Sequence, residues 1–424
     1  MHIQELRGGA PAPIHVVRPA GRDPLRDPEA LRQLATRFLV WDAFVGGRPR
    51  VAAAPLVLSA RLHAAAVAVA ERTVAVLDGR VARWAMADPA EAAHYGFAPD
   101  VEALVRASWR GRDTAALVRL DLLLDRGLRW RPCEINADCA GGHNETLALP
   151  RLARAAGARS GRDPTFVVDA LTARLVALAR GDAVGLTYAT GHAEDLQICA
   201  LVAGAVRARG HDAVLTAPTA LKERGGFIEA HGRRLGALYR YFPTEYMEGQ
   251  TNLEALAAAV AAGRLRTLTS FAHMPAQSKV VMARAWARLG ALPRPEAAFV
   301  RAHVPYTIDV ATTSPARLVA ERPGWVLKRA LGRVGDEVFV GDLSDDDDWA
   351  ELVAAIAERR AGGERWIAQA YVPQRPLPTP WGARLVTLGA YVLDGRFVGY
   401  FARLSPESHV SHDALVVPVL VEDS

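Results

Sequence analysis

The sequence predicts a mixed α/β protein, and three stretches carry that prediction. Residues 183–216 read as a strand, a turn at Thr190-Gly191, an amphipathic helix over 193–209 and a second strand over 213–216, which is a βαβ unit. The stretches 117–136 and 385–404 read as antiparallel hairpins in which apolar and polar residues alternate, the period of a half-buried strand. At 424 residues the chain outgrows a single core and is expected to divide into roughly two or three cooperating units.

Composition narrows the function. Half the residues are hydrophobic and 23% are charged, which fits a packed globular chain and leaves little room for long disorder. No apolar run reaches the length of a membrane span. Residues 1–28 are scattered with Arg, Asp and Pro in place of the basic-then-apolar layout of a secretory signal, so a cytoplasmic protein without a membrane partner is expected. Cys133, Cys139 and Cys199 cannot all pair and show no CxxC spacing, which argues against a disulfide scaffold and a zinc site. The net charge of +5 draws anions by its long-range field. Its arginines are interspersed with acids, without an aromatic-interleaved basic stripe, so no nucleic-acid partner is expected. Of 51 cationic residues only Lys222, Lys279 and Lys328 are lysine. A lysine kept in so arginine-rich a chain is informative, because a compact ammonium meets a phosphate as a point charge where a planar fork does not fit.

Taken in order, residues 1–28 form an irregular lead-in broken by five prolines. Helical spacing follows over 28–39, 56–77 and 89–108. In the first hairpin Val118, Leu120, Leu122 and Leu124 share one face, and Arg119 and Asp121 the other. With Arg126-Gly127 as the central turn pair, Arg119 lies opposite Glu134, Asp121 sits diagonally from it, and Asn136 joins the same face. A guanidinium, two carboxylates and a carboxamide then converge. Such oxygen groups suit Mg²⁺ shared with nucleotide phosphates; a solvated face with one ion pair explains them equally well.

Gly141-Gly142 leads into a helix near 146–156, with His143 either facing a substrate or packing against that helix, and Cys139 a small buried thiol. The βαβ unit lacks GxGxxG, so a dinucleotide site is not supported. The aromatic corner from Tyr239 to Tyr246 either lines a pocket or anchors a sheet edge. Residues 252–292 read as helical, with Lys279 near a helix start, where a cation opposes the helix dipole and so points to a ligand. Lys328 ends a strand over 325–328 and heads a loop with Gly332, Arg333 and Gly335 before a returning strand at 338–340, the parts of a nucleotide-covering flap. The acidic run 342–348 is read as the start of a helix capped by Ser344. A further strand at 366–372 carries Gln369. Asp394-Gly395 turns the last hairpin, and a two-residue turn places Arg384 on the face of Arg403, with room for an anion between them.

These segments, Arg119-x-Asp121, Glu134-x-Asn136-Ala-Asp138, Tyr239-Arg-Tyr-Phe-Pro, Ser278-Lys279, Trp325-Val-Leu-Lys328, Gly332-Arg333-x-Gly335, Gln369 and Gly389 through Arg403, resemble in their order the circularly permuted ATP-grasp family related to glutathionylspermidine synthase, without an amidase domain. The resemblance implies a permuted ATP-grasp fold with a Rossmann-like preATP-grasp domain. It divides the chain into an N-terminal helical region (1–115), the metal and nucleotide hairpin with its helix (116–160), the preATP-grasp-like domain (161–250), a helical connection (251–315) and the C-terminal ATP-grasp portion with the lysine flap (316–424). It implies Mg²⁺ on Asp121, Glu134 and Asn136, with Arg119 beside the phosphates. Lys279, Lys328, Gly332, Arg333, Gly335 and Gln369 would hold ATP, and Arg403 would stabilise the transferring phosphoryl group. The implied reaction joins a small-molecule or peptide carboxylate to an amine through an acyl phosphate. A nucleotide-binding relative without turnover, and a phosphotransferase that stops at the phosphorylated product, are the alternatives.

Overall fold

The structure, a computed structural model, describes residues 12–332, 337–410 and 414–423. Two six-stranded sheets, one four-stranded sheet and one three-stranded sheet carry the chain. The first six-stranded sheet is built on the βαβ unit: Ala183–Tyr188 pairs in parallel with Ala213–Thr216 on one side and Arg233–Tyr241 on the other. Val184 and Leu186 are wholly buried between the helices that flank this sheet, as a parallel strand requires.

The second six-stranded sheet joins the two hairpins. Leu117–Leu124 lies between Trp130–Asn136 and Gly382–Leu393, which in turn pairs with Arg396–Ser405. Val118, Leu120 and Leu122 on its inner face are completely buried, each contributing about 1.5–3 kcal/mol. The four-stranded antiparallel sheet, in the order Thr307–Asp309, Trp366–Ala370, Trp325–Arg329 and Val338–Val340, faces the outer surface of that second sheet across a cleft.

Several elements differ from the sequence expectation. Leu56–Leu58 is a strand, pairing with Ile14–Val16 from the supposed irregular lead-in and with Val419–Val421 near the other end of the chain. All three of its residues are buried, so no alternation betrays it; Ser59 then caps the helix Ala60–Thr73 by accepting from the Leu62 N–H. The helical stretch 252–292 is interrupted by the strand Arg266–Leu268, whose Thr267 N–H and hydroxyl are taken up by the Asp113 carboxylate. The cap of Asp346–Ala361 is Asp345, accepting from the Asp348 N–H, while the Ser344 hydroxyl donates to the Val340 carbonyl. No helix among the described residues is long and apolar enough to cross a membrane. None of the three cysteines forms a disulfide, and Cys139 is only half-buried.

Candidate functional site

The first hairpin places its polar groups on one face in a register two steps from the expected one. Arg126-Gly127-Leu128 makes a three-residue loop, with Leu128 at φ 59° and the Asp125 carboxylate accepting from the N–H groups of Gly127 and Arg129. One step is added there. A bulge at Cys133, just past Pro132, adds the second. Asp121 therefore stands directly opposite Glu134, and Arg119 opposite Asn136.

Two carboxylates facing each other repel unless cations answer them. Arg119 grips Asp121 through two bonds, at 2.8 and 3.2 Å, and Arg403 reaches the same carboxylate at 2.6 Å from two strands away. Gly389 lies opposite Asp121 on the central strand, and a Cβ there would strike Arg119 Cδ at 2.8 Å, so glycine lets that guanidinium lie flat across the sheet. Phe401 supports both guanidiniums, whose centres stand 5.4 and 5.8 Å from its ring. Gly142, at φ 95°, gives Phe401 its space, since a Cβ would meet the ring at 2.6 Å.

Lys279 answers Glu134 at 2.8 Å and also donates to the Gly332 carbonyl at 2.8 Å, linking hairpin to flap. It caps the helix Val280–Ala287 and is buried, so the charge set against the helix dipole is met by Glu134. Lys328 donates to Gln369 Oε1 at 2.8 Å and to the Cys133 carbonyl at 3.1 Å. Gln369 is steadied in turn by the Thr307 hydroxyl and the Met282 sulfur.

Burial alone would raise the Asp121 carboxyl, yet the two guanidiniums outweigh it and hold it below the usual carboxylate range. Burial opposes the Glu134 carboxylate as well, and Lys279 prevails and lowers it. The Lys328 ammonium is lowered, first by burial and further by Lys279, against the pull of Glu134. Burial pushes the Cys133 thiol up to about 12, so it is protonated at neutral pH and no nucleophile.

Asp121, Glu134, Lys328, Gly332, Gln369 and Arg403 all line the cleft between the two sheets, an open space of about 760 Å³. Counting Arg119 and Lys279 behind them, four cations meet two carboxylates, an excess of two positive charges among the described residues. The buried Nε of Arg403 has no hydrogen-bond partner. A guanidinium donor left over in this way is one that an anion can satisfy. Asn136 stands outside the cleft wall, its side-chain nitrogen 3.4 Å from the Arg119 carbonyl that accepts from it. Arg333 and Gly335 lie outside the described residues. Among those residues no three His, Cys, Asp or Glu side chains gather into a metal-binding cluster; the two cross-strand carboxylates are the hard-oxygen donors present.

Arg384 does not share the Arg403 face. Val398 is an extra residue in the last hairpin, so Arg403 pairs with Thr387 and Arg384 projects to the other side, where it donates to the Trp381 carbonyl. The expected anion between the two guanidiniums gives way to Asp121, bound by Arg403 and Arg119.

Some structural partners escaped the sequence reading. Gln277, two residues before Lys279, accepts from the N–H groups of Ala137 and Asp138 and so fixes the exit of the hairpin. Asp138 is held by buried Arg240 and by Thr244, whose N–H and hydroxyl donate to it at 2.9 and 2.8 Å. Tyr239 meets His143 Nε2 at 3.0 Å. The Tyr239 end of the aromatic corner is thus an anchor between sheets, while Tyr246 is exposed. His143 opens the helix His143–Ala155, edge-on to Tyr391; burial and then Arg119 push its pKa down to about 3, which keeps it neutral.

The family model described as glutathionylspermidine synthase preATP-grasp matches residues 61–422. Among solved structures the chain is similar to a glutathione synthetase-like effector from Globodera pallida in its apo form, with 11% identity and a TM-score of 0.57, over 93% of this chain and 98% of that one. At that identity the likeness is one of fold. No curated protein matches.

Proposed function

The chain belongs to the glutathionylspermidine synthase-like ATP-grasp family, and from that membership we propose that it is an ATP-dependent ligase joining a carboxylate to an amine. The observation that carries this reading is the cleft: four cations and two carboxylates brought together there from four separate stretches of chain, with a positive excess and an unpartnered guanidinium N–H. In the proposed reaction a carboxylate oxygen attacks the terminal phosphorus of ATP, the bond to ADP breaks, and an acyl phosphate forms. An amine nitrogen then attacks the acyl carbon, the bond to phosphate breaks, and the amine gives up a proton.

Each residue has a part in that reaction. Lys328 and Lys279 flank the hairpin from the flap side and neutralise phosphate oxygens as point charges. Gln369 orients Lys328. Arg403, with a donor to spare, stabilises charge on the phosphoryl group as it moves, and Arg119 keeps the Asp121 carboxylate ionised and aimed. Asp121 and Glu134 suit a hard cation and would hold Mg²⁺, which would supply charge neutralisation on the phosphates; Asn136, expected as a third ligand, stands one pair further along and outside the cleft wall. The expected substrates are a small-molecule or peptide carboxylate and an amine.

A second reading, nucleotide binding without turnover, draws on one observation: both carboxylates proposed for the metal are already paired with cations. A hydroxylamine trap tests the choice. The ligase reading expects a hydroxamate from any carboxylate for which the protein consumes ATP; ATP consumption without hydroxamate would count against it.

A further inference from the structure

The tip of the first hairpin carries a basic surface that lies outside the cleft. Arg126 and Arg129 belong to its loop, Arg131 to the returning strand, and Arg375 to the segment 373–376, whose backbone is laced to the tip. Asp125 bridges to Gln374, the Arg126 N–H donates to the Pro373 carbonyl at 3.2 Å, and the Arg375 N–H donates to the Leu124 carbonyl at 3.0 Å. Arg126, Arg129 and Arg375 are exposed and Arg131 is half-buried; none of the four lines the cleft.

Four guanidiniums here meet one carboxylate. Asp125 pairs with Arg129 at 2.9 Å, and its other oxygen accepts from the N–H groups of Gly127 and Arg129. Arg131 donates to the Ala302 carbonyl at 2.7 Å, at the end of the helix Arg294–His303. The side chains of Arg126 and Arg375 have no hydrogen-bond or ion-pair partner among the described residues, whereas exposed arginines elsewhere, such as Arg32, Arg234 and Arg317, each hold a carboxylate. The result is an excess of three positive charges at one edge of the sheet. The cations also press on one another. The Arg131 pKa is lowered, first by burial and then by Arg129, against the pull of Asp125; burial lowers that of His303, with Arg131 and Arg129 adding to it.

We propose that this edge is a docking surface for an acidic segment of another polypeptide, held through its Asp and Glu carboxylates. A guanidinium meets a carboxylate with two parallel hydrogen bonds, a match that phosphate-free partners offer only through these side chains. Arg129 and Arg131 are two residues apart in extended backbone, about 7 Å along the chain, which is the repeat of alternate side chains in an extended partner. Pro373, Pro376, Pro378 and Pro380 stiffen the Arg375 side and withhold N–H groups, so the partner is gripped by side chains and not as an added strand. Other polyanions find less to hold. Trp130 at the tip is 1% exposed and cannot stack on a base, and Leu128 packs against the core, which leaves no apolar wedge for a bilayer.

Fluorescence anisotropy of a labelled decaglutamate peptide with the full chain tests this. The wild type is expected to bind the peptide at low salt and to release it as ionic strength rises toward about 1 M, where the screening length falls to about 3 Å. Reversing the two unpartnered charges, Arg126→Glu with Arg375→Glu, is expected to weaken binding at least about tenfold, and the neutral pair Arg126→Gln with Arg375→Gln to lie between. A wild-type thermal midpoint shows that a variant is folded, and where the reversed pair misfolds the neutral pair decides. Decaglutamate that fails to bind the wild type, or that binds the variants as tightly, overturns the surface. A ten-nucleotide oligothymidylate or phosphatidylserine vesicles that bind the wild type as tightly as the peptide, and lose that binding with the same substitutions, overturn the choice of an acidic polypeptide.

Discussion

Asp121 is bonded by Arg119 and Arg403 together, and neither guanidinium has another carboxylate among its hydrogen-bond partners in the described structure. Removing the acid would leave two half-buried cations facing each other beside Lys328. Asp121→Ala is therefore expected to destabilise the ligand-free protein by about 3–5 kcal/mol, the usual cost of breaking a buried ion pair from one side. Denaturant unfolding measures it, and added pyrophosphate is expected to recover part of the loss by replacing the missing negative charge. A loss no larger than that of an exposed ion pair, below about 1 kcal/mol, would show the cluster to be loosely held.

Element by element, the two hairpins explain what could be read and what could not. Facing along a strand has a period of two, so each unforeseen residue inverts every later side chain. The first hairpin hides two such steps, a three-residue loop and the bulge at Cys133, and two inversions cancel: Arg119, Asp121, Glu134 and Asn136 share a face as expected although their partners change. The last hairpin hides one, at Val398, and Arg384 is turned away from Arg403. Pro132 and Gly399 are the residues that signal these bulges. Pro132 has no N–H for the ladder, and Gly399, at φ 148°, presses against Thr165 where a Cβ would come within 2.5 Å. Leu56–Leu58 was hidden for a different reason, since a strand buried on both faces has no polar side to alternate with. The βαβ unit, amphipathic and punctuated by Gly191 and Gly210, needed only local signals.

At this scale also lies the joint between the π-helical segment Val74–Val81 and the turn Phe271–His273. His273 Nδ1 meets the Asp78 carboxylate at 2.7 Å, and Nε2 meets the Thr114 carbonyl at 3.1 Å. Burial disfavours the imidazolium, but the Asp78 charge and the hydrogen bonds prevail, with Asp113 adding to them, and the pKa is raised. A raised histidine contributes its full stability below the unfolded value of about 6.5 and loses it as the pH rises through the folded value. Unfolding free energy of the wild type is thus expected to fall as the pH rises from about 6.5 through the raised folded value, and that of His273→Gln to fall less. Equal slopes would show that the imidazolium contributes nothing to the joint.

Over the whole molecule, the site is assembled from parts distant in sequence. Asp121 and Glu134 come from one hairpin, Arg403 from another nearly three hundred residues on, Lys279 from a helix start, and Lys328 with Gln369 from the facing sheet. No local signal announces such a meeting; the order of short motifs along the chain did, together with two lysines kept in an arginine-rich sequence. The account stands on these parts acting together on ATP. Steady-state ADP release by the wild type and by Arg403→Ala, supplied with ATP, magnesium and a small-molecule cell extract, tests that most directly. The account predicts extract-dependent release by the wild type that falls about 10²–10³-fold in the variant, the range for losing one donor to developing charge. Release that is absent in both, or equal in both, would contradict it.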